Sequence, residues 1–528
     1  MNKLTLSLLT IIASLSLVLN VVKLQTAPPG FNADEAAFGY NAYSISQTGK
    51  DEYGAFLPLR LKSFGDYKMP LYSYLSVPFI KIMGLTELST RMLNIFLSFL
   101  FPIAVYFLAK ELFKKQPVAL LSALLSALSL GLHIVSRHAH EAYLAAFFIT
   151  ITTTFFLRFY KHERQRDFMI FLSTLGLSLF AYQSSRIFAV FFVIGFLVFV
   201  LRKRAHFRQL IILTTLVALI FSVDLFYKPE RLKNLVFYRS PGLAMQIDEL
   251  RREGGNGILY NKALVGIKNV ISQQVNYFSP QFLAISGDQN VRFGYTEMPP
   301  LTILEYLFFF VGLYYVFKLK IPHRHLLVLL LFISPLTSAL TWAETSLTRS
   351  LFILVPILCT SAFGIYSVIR AGNNRRTIAV ALCLITGIEL LLIILNWDFY
   401  LNHYPHRALP ARSWQQGYKE LSLYIKQSYS EYSHFYITRA YGQPYIFLLF
   451  YLNYPPSQYQ SHATLSPPDQ YGFGQVDGFD KFVFNLDQKL HASSSAIIAF
   501  PEDFPSGFKP LKKIQAGNTD VFWITENN

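Results

Sequence analysis

Charged residues and cysteines are both scarce in this sequence. Only 15% of the 528 residues are charged, whereas soluble domains carry about 25%. Hydrophobic residues make up 53% of the chain, including 49 phenylalanines, and the mean hydropathy is +0.35. The composition therefore excludes an ordinary soluble protein and predicts a polytopic membrane protein. The only two cysteines, Cys359 and Cys383, lie inside apolar runs, which excludes a disulfide framework and a cysteine-based metal site.

Apolar runs long enough to cross a membrane recur along the chain. A transmembrane helix needs about 20 predominantly apolar residues, and eleven runs have roughly that length. The first run has no small-residue cleavage site before Pro28, so we interpret it as a retained span and not as a signal peptide. The sequence thus predicts a mostly α fold with about eleven transmembrane helices. Their approximate limits are 4–22, 89–109, 117–134, 141–159, 168–183, 186–201, 208–226, 301–317, 325–341, 350–369 and 377–396.

Lysine and arginine are concentrated in alternate connections between these spans. Cytoplasmic connections of membrane proteins are enriched in both residues, so the basic loops are predicted to be cytoplasmic. The basic loops hold Lys110, Lys114 and Lys115; Arg158, Lys161, Arg164 and Arg166; Arg202, Lys203, Arg204 and Arg208; Lys318, Lys320 and Arg324; and Arg370, Arg375 and Arg376. The other short loops hold only Arg137, Arg186 and Arg349. This pattern explains the net charge of +16 and predicts a lipid bilayer, not nucleic acid, as the partner.

The same pattern sets the predicted orientation. The N-terminus is expected on the cytoplasmic side of the cytoplasmic (inner) membrane, with the external loops 23–88 and 227–300 on the other side. Residues 1–396 form the predicted transmembrane domain, and residues 397–528, which are rich in Tyr, Pro and Ser, form a small extracytoplasmic α/β domain. Its predicted elements are strands at His434–Thr438, Ala496–Phe500 and Val521–Thr525 and a helix at Trp414–Ser428.

The first external loop carries the most informative polar residues. Asp34 and Glu35 are adjacent near its start, and Lys68 lies near its end. One interpretation is that the two acids only begin a short helix, where negative charge suits the positive end of the helix dipole. The other is that a carboxylate pair and a lysine at a membrane surface act on a lipid-linked substrate. The local sequence leaves both open.

Several isolated cations lie at the outer ends of predicted spans, where the orientation rule depletes them. They are Arg91, Arg137, Arg186 and Arg349. Arginine binds phosphate oxygens in a bidentate manner and lysine supplies a point charge, so these residues and Lys68 are the predicted phosphate-binding set. The alternative is that each arginine extends to lipid headgroups or pairs with a neighbouring acid.

Other polar and aromatic residues on this side are candidates for binding a sugar or an acceptor. They are Tyr40, Asp66, Tyr67, Tyr72, His138, Tyr182, Asp288 and Glu297. The tyrosines are suited to stacking on sugar faces, although tyrosine at this depth is also a common interfacial anchor. His133, His138 and His140 do not have the spacing of a recognised metal-ligand signature. No metal site is therefore assigned.

These residues resemble the GT-C superfamily of membrane glycosyltransferases, in particular its protein O-mannosyltransferase and aminoarabinose-transferase branch. Asp34-Glu35 follows the first span as in that branch, and Lys68-Met69-Pro70-Leu71-Tyr72 is similar to its Lys-Pro-Pro-Leu element. Three further matching segments are Arg91-Met92-Leu93, Ser136-Arg137-His138-Ala139-His140-Glu141 and Ala181-Tyr182-Gln183-Ser184-Ser185-Arg186-Ile187-Phe188. The likeness covers about residues 1–396. Met69 replaces the first proline of the element, and the C-terminal domain resembles only a subset of the family.

The resemblance implies an inverting transfer of a sugar from a polyprenyl-phosphate donor to a hydroxyl on a protein, glycan or lipid. It implies Asp34 as general base, Glu35 as an orienting or sugar-binding acid, and the cations as ligands of the departing phosphate. The donor is a co-substrate, so no cofactor is expected, while a divalent metal and the oligomeric state are left open. Two alternatives remain at this point: a transporter or flippase of lipid-linked glycans, and a polymerase or ligase of envelope glycans. A transporter usually places its polar residues near the bilayer midplane, and few charges lie there in these spans.

Overall fold

The structure is a computed structural model. It describes residues 2–227, 240–254, 256–341, 345–372, 374–466, 476–484, 486 and 494–527. A bundle of apolar helices forms most of this chain, and a region that contains a β-sheet covers one end of the bundle. The chain is a multi-pass membrane protein, since seven of its described helices are long and apolar enough to cross a membrane, or eight if one bent pair is a single span.

Every predicted span is helical. The bundle helices are α1 (Lys3–Val21), α4 (Glu87–Phe113), α5 (Gln116–Leu128) with α6 (Leu130–Ser136), α7 (Glu141–His162), α8 (Gln165–Ala181), α9 (Ser185–Lys203), α10 (Phe207–Tyr227), α13 (Ile303–Lys318), α14 (Arg324–Ala339), α15 (Leu347–Ser350) leading into α16 (Leu354–Ala371), and α17 (Arg375–Asp398). Helices α8, α13 and α14 have only 16 or 17 residues. Helices α5 and α6 meet at a bend of 54°. The prediction of about eleven helical segments is confirmed, although these segments differ in length and continuity.

The opening loop folds into a helix, a hairpin and a second helix. They are α2 (Ala33–Thr48), β1 (Leu61–Ser63), β2 (Asp66–Lys68) and α3 (Leu71–Met83). Helix α2 begins after Asn32, whose side chain accepts hydrogen bonds from the backbone N–H groups of Asp34 and Glu35. Asparagine is a preferred residue at this position because it satisfies N–H groups that have no partner inside the helix. Asp34 and Glu35 therefore do lie in the first turn of a helix. The environments of their carboxylates are described below.

Between α10 and α13 the structure describes residues 240–254 and 256–302. These residues form two amphipathic helices, α11 (Pro241–Arg252) and α12 (Lys262–Asn276), followed by a π-helical turn at Gln281–Ile285. After that turn the chain forms a compact loop, in which Gly287 and Gly294 make an antiparallel bridge. Gly287 has φ +80°, and a side chain there would meet the Met298 carbonyl at 2.6 Å. Glycine is therefore required for this loop to close.

The region after α17 combines a seven-stranded sheet with short helices. The strand order is β4-β5-β6-β3-β7-β9-β8. The strands are β3 (His434–Ile437), β4 (Thr464–Leu465), β5 (Val476–Phe479), β6 (Phe482–Val483), β7 (Ser495–Ala499), β8 (Lys512–Ala516) and β9 (Thr519–Asn527). The helices are α18 (Ala408–Ser413), α19 (Tyr418–Ser428), α20 (Pro444–Tyr451) and α21 (Pro456–His462). Helix α19 begins at Tyr418 and not at the predicted Trp414, because Gly417 has φ +110°, which is not a helical conformation.

Helix α2 joins the two parts of the molecule. Its apolar residues share a core with α20 and the sheet, while its other side packs on the bundle. At Gly39 the helix passes so close to its neighbours that a Cβ atom would lie 2.5 Å from the Thr90 hydroxyl and 2.6 Å from the Phe450 ring. The helix that carries Asp34 is therefore held between the bundle and the C-terminal region.

Candidate functional site

Asp34 and Lys68 form an ion pair at the start of α2. Lys68 Nζ lies 2.6 Å from Asp34 Oδ1, although the two residues are 34 positions apart in sequence. The Asp34 side chain is 48% exposed and the Lys68 side chain 13%. The carboxylate thus faces open space, and the lysine approaches it from the protein side.

The hairpin β1–β2 positions Lys68. In its register, Lys68 is paired with Leu61, and the turn Phe64-Gly65 has positive φ at both residues, as hairpin turns of this length require. The ammonium group of Lys68 lies over two aromatic rings, 4.4 Å from the centroid of Phe64 and 5.2 Å from that of Phe38. Cation–π contacts of this kind attract the ammonium group and hold it at this position.

A second cation, Arg292, approaches Asp34 from the compact loop. Its Nη1 lies 3.9 Å from Asp34 Oδ2. Asp288 holds this loop, since its carboxylate accepts hydrogen bonds from the backbone N–H groups of Asn290 at 2.8 Å and Leu347 at 2.6 Å. Burial raises the pKa of the Asp288 carboxyl to about 6. Arg292 was not predicted as a site residue, since it lies inside a long loop and not at the end of a span.

His140 contributes a neutral imidazole next to this group. It precedes α7, and its Nδ1 accepts the backbone N–H of Ala142 at 3.0 Å. Burial lowers the pKa of His140 to about 4, so the ring is neutral at physiological pH and carries its proton on Nε2. The ring packs against Tyr182 and Phe293. From the sequence, His140 belongs to one of the segments that resemble the family, and nothing there marks it as a neighbour of Asp34.

A cavity of about 520 Å³ opens beside Asp34. Its walls come from three parts of the chain: the opening loop, the compact loop and the C-terminal region. The lining residues are Ala33, Asp34, Phe64, Asn290, Arg292, Ser413, Gln415, Ala440, Tyr441, Gly442 and Gln443. This volume is in the range of small-molecule sites. Asp34 and Arg292 are the only charged residues among those that line it.

Glu35 and Arg91 have a different environment from Asp34. The Glu35 side chain is 0% exposed and that of Arg91 3%, and their closest atoms are 2.8 Å apart. Glu35 also accepts the backbone N–H of Ala139 at 2.9 Å, and Arg91 donates to the Gly30 carbonyl at 2.7 Å. This pair joins α2, α4 and the corner before α7, so its geometry favours a positioning role and not contact with a substrate.

We expect Arg91→Met to destabilise the protein by about 3–5 kcal/mol, because it leaves Glu35 buried without its counter-charge. Thermal unfolding in detergent or nanodiscs measures the effect. The double variant Glu35→Gln/Arg91→Met should recover part of the loss, since it also removes the unpaired charge. A wild-type unfolding midpoint for Arg91→Met would contradict this assignment.

The other predicted phosphate-binding arginines lie away from the cavity wall. Arg137 is buried and donates to the carbonyl oxygens of Leu19, Asn20, Val22 and Ala27, so it satisfies the C-terminal end of α1. Arg186 pairs with Asp224 at 2.7 Å, and Arg60 meets the same carboxylate at 2.9 Å. Arg349 donates to the Thr341 hydroxyl at 2.9 Å. The structure therefore brings together Lys68 and Arg292 at Asp34, and not the predicted arginine set.

The predicted sugar- and acceptor-binding residues are also dispersed. Tyr40 and Tyr72 are buried, with their hydroxyls donating to the carbonyls of Tyr454 and Thr90. Tyr67 packs on Tyr227, and Tyr182 packs on His140 near the site. None of these four tyrosines lines the cavity.

The non-tyrosine candidates are equally varied. His138 is buried between His140, Phe293 and Trp414, and Asp288 supports the loop of Arg292. Glu297 is exposed, and it is absent from the cavity lining. The structure describes only the backbone of Asp66, which lies in β2. Of the eight candidates, Asp288, Tyr182 and His138 therefore support the site from behind its lining residues.

The described part of the chain holds no group of three or more His, Cys, Asp or Glu side chains that is suited to a metal ion. Asp34 forms ion pairs with the cations Lys68 and Arg292. A divalent cation takes several oxygen ligands, whereas the partners of Asp34 at this point are two cations, which suit an anion.

Glu52 is a buried acid directly behind the site. Its carboxylate accepts hydrogen bonds from Asn41 at 3.0 Å, Tyr445 at 3.0 Å and Ser63 at 3.3 Å. These partners belong to α2, to α20 and to the hairpin that carries Lys68. Burial raises the pKa of Glu52 to about 8. One carboxyl group thus links α2, the hairpin of Lys68 and α20.

The raised pKa of Glu52 predicts a pH-dependent stability. The folded protein binds the Glu52 proton more tightly than the unfolded chain does. The contribution of the protonated carboxyl to the free energy of unfolding is therefore fully present below about pH 4.5 and is lost as the pH rises to about 8. The loss is at most roughly 5 kcal/mol. Thermal unfolding between pH 5 and pH 8.5 should show this fall in the wild type and a flatter profile in Glu52→Gln. Identical slopes in the two proteins would contradict the buried-acid account.

Comparison with known proteins agrees with this architecture. A family model described as dolichyl-phosphate-mannose-protein mannosyltransferase matches residues 67–227. No curated protein matches the chain. Among solved structures, ArnT from Cupriavidus metallidurans in the apo state aligns with a TM-score of 0.51 at 12% identity, over 97% of both chains. At this identity the likeness shows a shared fold.

Two further solved structures align less closely. ArnT from the same organism bound to undecaprenyl phosphate gives a TM-score of 0.47 at 13% identity, over 97% of both chains. The oligosaccharyltransferase AglB from Archaeoglobus fulgidus, in complex with an inhibitory peptide and a dolichol-phosphate, gives 0.47 at 15% identity. That alignment covers 80% of this chain and 58% of AglB, so the chain spans less than two thirds of the archaeal protein.

Proposed function

We propose that the chain is a membrane glycosyltransferase of the GT-C superfamily, and that it transfers a sugar from a polyprenyl-phosphate donor to a hydroxyl acceptor with inversion at the anomeric carbon. The observation that carries the proposal is that Asp34 and Arg292 line one open cavity, with Lys68 paired to Asp34 from the protein side. A carboxylate that faces solvent between two cations has the groups that base catalysis and phosphate binding each need.

In this proposal the donor phosphate binds Lys68 and Arg292. Both cations are then shared between Asp34 and the phosphate, which is the group that gains negative charge when the sugar leaves. Fixed positive charge at that position stabilises the transition state more than the bound donor. His140, neutral and with its proton on Nε2, supplies a further uncharged donor next to this pair. The description of the matching family model, which names dolichyl-phosphate mannose, supports a polyprenyl-phosphate sugar as the donor class.

Asp34 acts as the general base. It takes the proton of the acceptor hydroxyl while the hydroxyl oxygen attacks the anomeric carbon from the face opposite the phosphate. The bond between that carbon and the phosphate oxygen breaks, and its electron pair stays on the polyprenyl phosphate. One displacement of this kind inverts the anomeric centre. Glu35 and Arg91, buried behind Asp34, fix the position of the base through the start of α2.

The site lies at the end of the bundle opposite the Lys/Arg-rich connections. With these connections in the cytoplasm, the cavity opens at the extracytoplasmic face of the cytoplasmic membrane. There the polyprenyl chain would lie against the apolar helices while its phosphate reaches the cavity. This placement needs a donor whose sugar is presented on the outer leaflet.

The proposal is tested by supplying the full chain in nanodiscs with radiolabelled polyprenyl-phosphate mannose and membrane extracts that contain acceptors. We expect label to leave the lipid only when the chain is present, and the product anomer, read by NMR, to be opposite to that of the donor. A flippase would instead move the intact lipid-linked sugar between leaflets of proteoliposomes. Intact donor after prolonged incubation with active membranes would overturn the proposal.

A further inference from the structure

We infer that the C-terminal region forms the acceptor wall of the cavity, and that the acceptor group it takes is a neutral saccharide bound by Asn290, Ser413 and Gln443. The inference rests on the proposed function, because it uses Asp34 and Lys68 as the chemical end of the same cavity. It adds the class of acceptor and the residues that recognise it.

The residues that line the cavity fall into two chemical groups. The opening loop and the compact loop contribute the charged residues Asp34 and Arg292, and Lys68 pairs with Asp34. The lining residues from the C-terminal region are uncharged: Ser413, Gln415, Ala440, Tyr441, Gly442 and Gln443. Because the donor phosphate binds the cations, we assign the acceptor to the uncharged residues of the C-terminal region.

Three side chains in or next to this uncharged group have hydrogen-bonding groups to spare. Within the described chain, the side chains of Ser413 and Gln443 form no hydrogen bond. Asn290 uses its Oδ1 to accept the Arg292 backbone N–H at 3.1 Å, which leaves its Nδ2 group for a ligand. Amide and hydroxyl groups offer both donors and acceptors. They therefore match the hydroxyl groups of a sugar, which also donate and accept.

The charge and shape of this wall favour a saccharide over a peptide. An anionic or cationic acceptor would be expected to meet an opposite charge on the wall, and the lining there is neutral. Extended peptides commonly bind by adding to a sheet edge or lying in a long groove, whereas these lining residues belong to turns, loops and helix ends. The cavity of about 520 Å³ is the size of a pocket for a compact group.

The wall is also fixed to the catalytic helix. Gln415 accepts the Ala33 backbone N–H at 2.8 Å and donates to the Tyr441 carbonyl at 2.9 Å. Gly442 has φ +103°, and a Cβ atom there would lie 2.2 Å from Gln415 Nε2. The loop that carries Gln443 therefore keeps a constant position relative to Asp34, as an acceptor site requires.

Gln443→Ala tests the wall without disturbing the fold, because Gln443 precedes α20 but makes no capping hydrogen bond. The full chain in nanodiscs is given labelled polyprenyl-phosphate mannose and, separately, the protease-treated glycan fraction and the protein fraction of membranes that lack this chain. We expect label in the glycan fraction. The variant should raise the acceptor KM about tenfold, the factor that one lost hydrogen bond corresponds to, and leave the Kd for undecaprenyl phosphate unchanged.

Gln458→Ala is the matched control, since this glutamine is exposed on α21 and does not line the cavity. Label in the protein fraction would overturn the assignment of a saccharide acceptor. An unchanged acceptor KM in Gln443→Ala would overturn the inference that the C-terminal region binds the acceptor. Either result leaves the proposed function intact as long as the wild type consumes the donor. Failure of the wild type to bind undecaprenyl phosphate or to consume the donor would instead count against the proposed function itself.

Discussion

Replacing Asp34 with asparagine is expected to lower the rate of sugar transfer by about 10²–10⁴-fold, the contribution usually made by a positioned general base. Asparagine has the same shape and keeps the backbone contacts of the helix start, in which the Asp34 N–H donates to Asn32 Oδ1. It removes the ability to take a proton and the negative charge that pairs with Lys68 and Arg292. Single-turnover transfer from a labelled polyprenyl-phosphate sugar measures the chemical step, and the Kd for the donor should stay equal or fall, because a negative charge next to the phosphate is lost.

The control for this variant is Glu502→Gln, which changes a carboxylate that is 72% exposed and remote from the cavity lining. It should transfer sugar at the wild-type rate. If a correctly inserted Asp34→Asn variant also keeps the wild-type rate, Asp34 is not the base and the mechanism proposed for this cavity is wrong.

Replacing Lys68 with methionine is expected to reduce kcat/KM for the donor by about 10²–10³-fold, as the loss of one preorganised charge at a developing anion typically does. The side chain lies between Phe38 and Phe64, so methionine fills the same apolar channel without the ammonium group. Lys68→Arg should restore part of the activity, since it returns the charge with a different geometry. Steady-state kinetics at varied donor concentration, with donor Kd measured separately, resolves binding from catalysis.

Lys62→Met is the control on the same hairpin. Lys62 is paired with Tyr67 in the register, which places it on the opposite face of the hairpin from Lys68, and its ammonium group lies over the Tyr53 ring. This variant should keep wild-type kinetics. An equal loss in both variants would mean that the hairpin matters only for folding and that Lys68 has no specific role.

The sequence predicted the helical segments and singled out Asp34 and Lys68 for clear physical reasons. Backbone N–H and C=O groups inside a bilayer must bond to each other, which favours helices. Each predicted run is therefore helical, even where α13 and α14 are short. Asp34 and Lys68 stood out because both lie in one polar loop between apolar segments. The loop is short enough that the hairpin can return Lys68 to the start of α2, and the structure shows this contact directly.

The partners of the arginines could not be predicted from the sequence. Arg91 and Arg137 were conspicuous because cations are rare on that side of the membrane, and the reason for their presence is burial: one pairs with Glu35 and the other satisfies carbonyl groups at the end of α1. A sequence pattern marks a costly charge, but only coordinates show whether its partner is the protein or a ligand. Arg292 had no such mark, because a cation in a long polar loop is ordinary.

The residues of the C-terminal region that line the cavity could not be predicted from local sequence patterns either. Gln415 and Gln443 lie about 400 residues after Asp34 in sequence, and no periodicity connects them. Their position depends on how the C-terminal region packs on α2, through a shared core of residues such as Phe31, Tyr40 and Phe450. The residues predicted for sugar binding were chosen by their location in the external loops, and the structure places most of them in packing roles.

The most direct test of this account is a cryo-EM structure of the full chain in nanodiscs with undecaprenyl phosphate. The account predicts phosphate density within hydrogen-bond distance of both Lys68 and Arg292, beside Asp34, with the isoprenoid chain running along the apolar helices. Phosphate density at the Arg186–Asp224 pair or elsewhere, with the ion pair between Asp34 and Lys68 unchanged and the cavity empty, would contradict it.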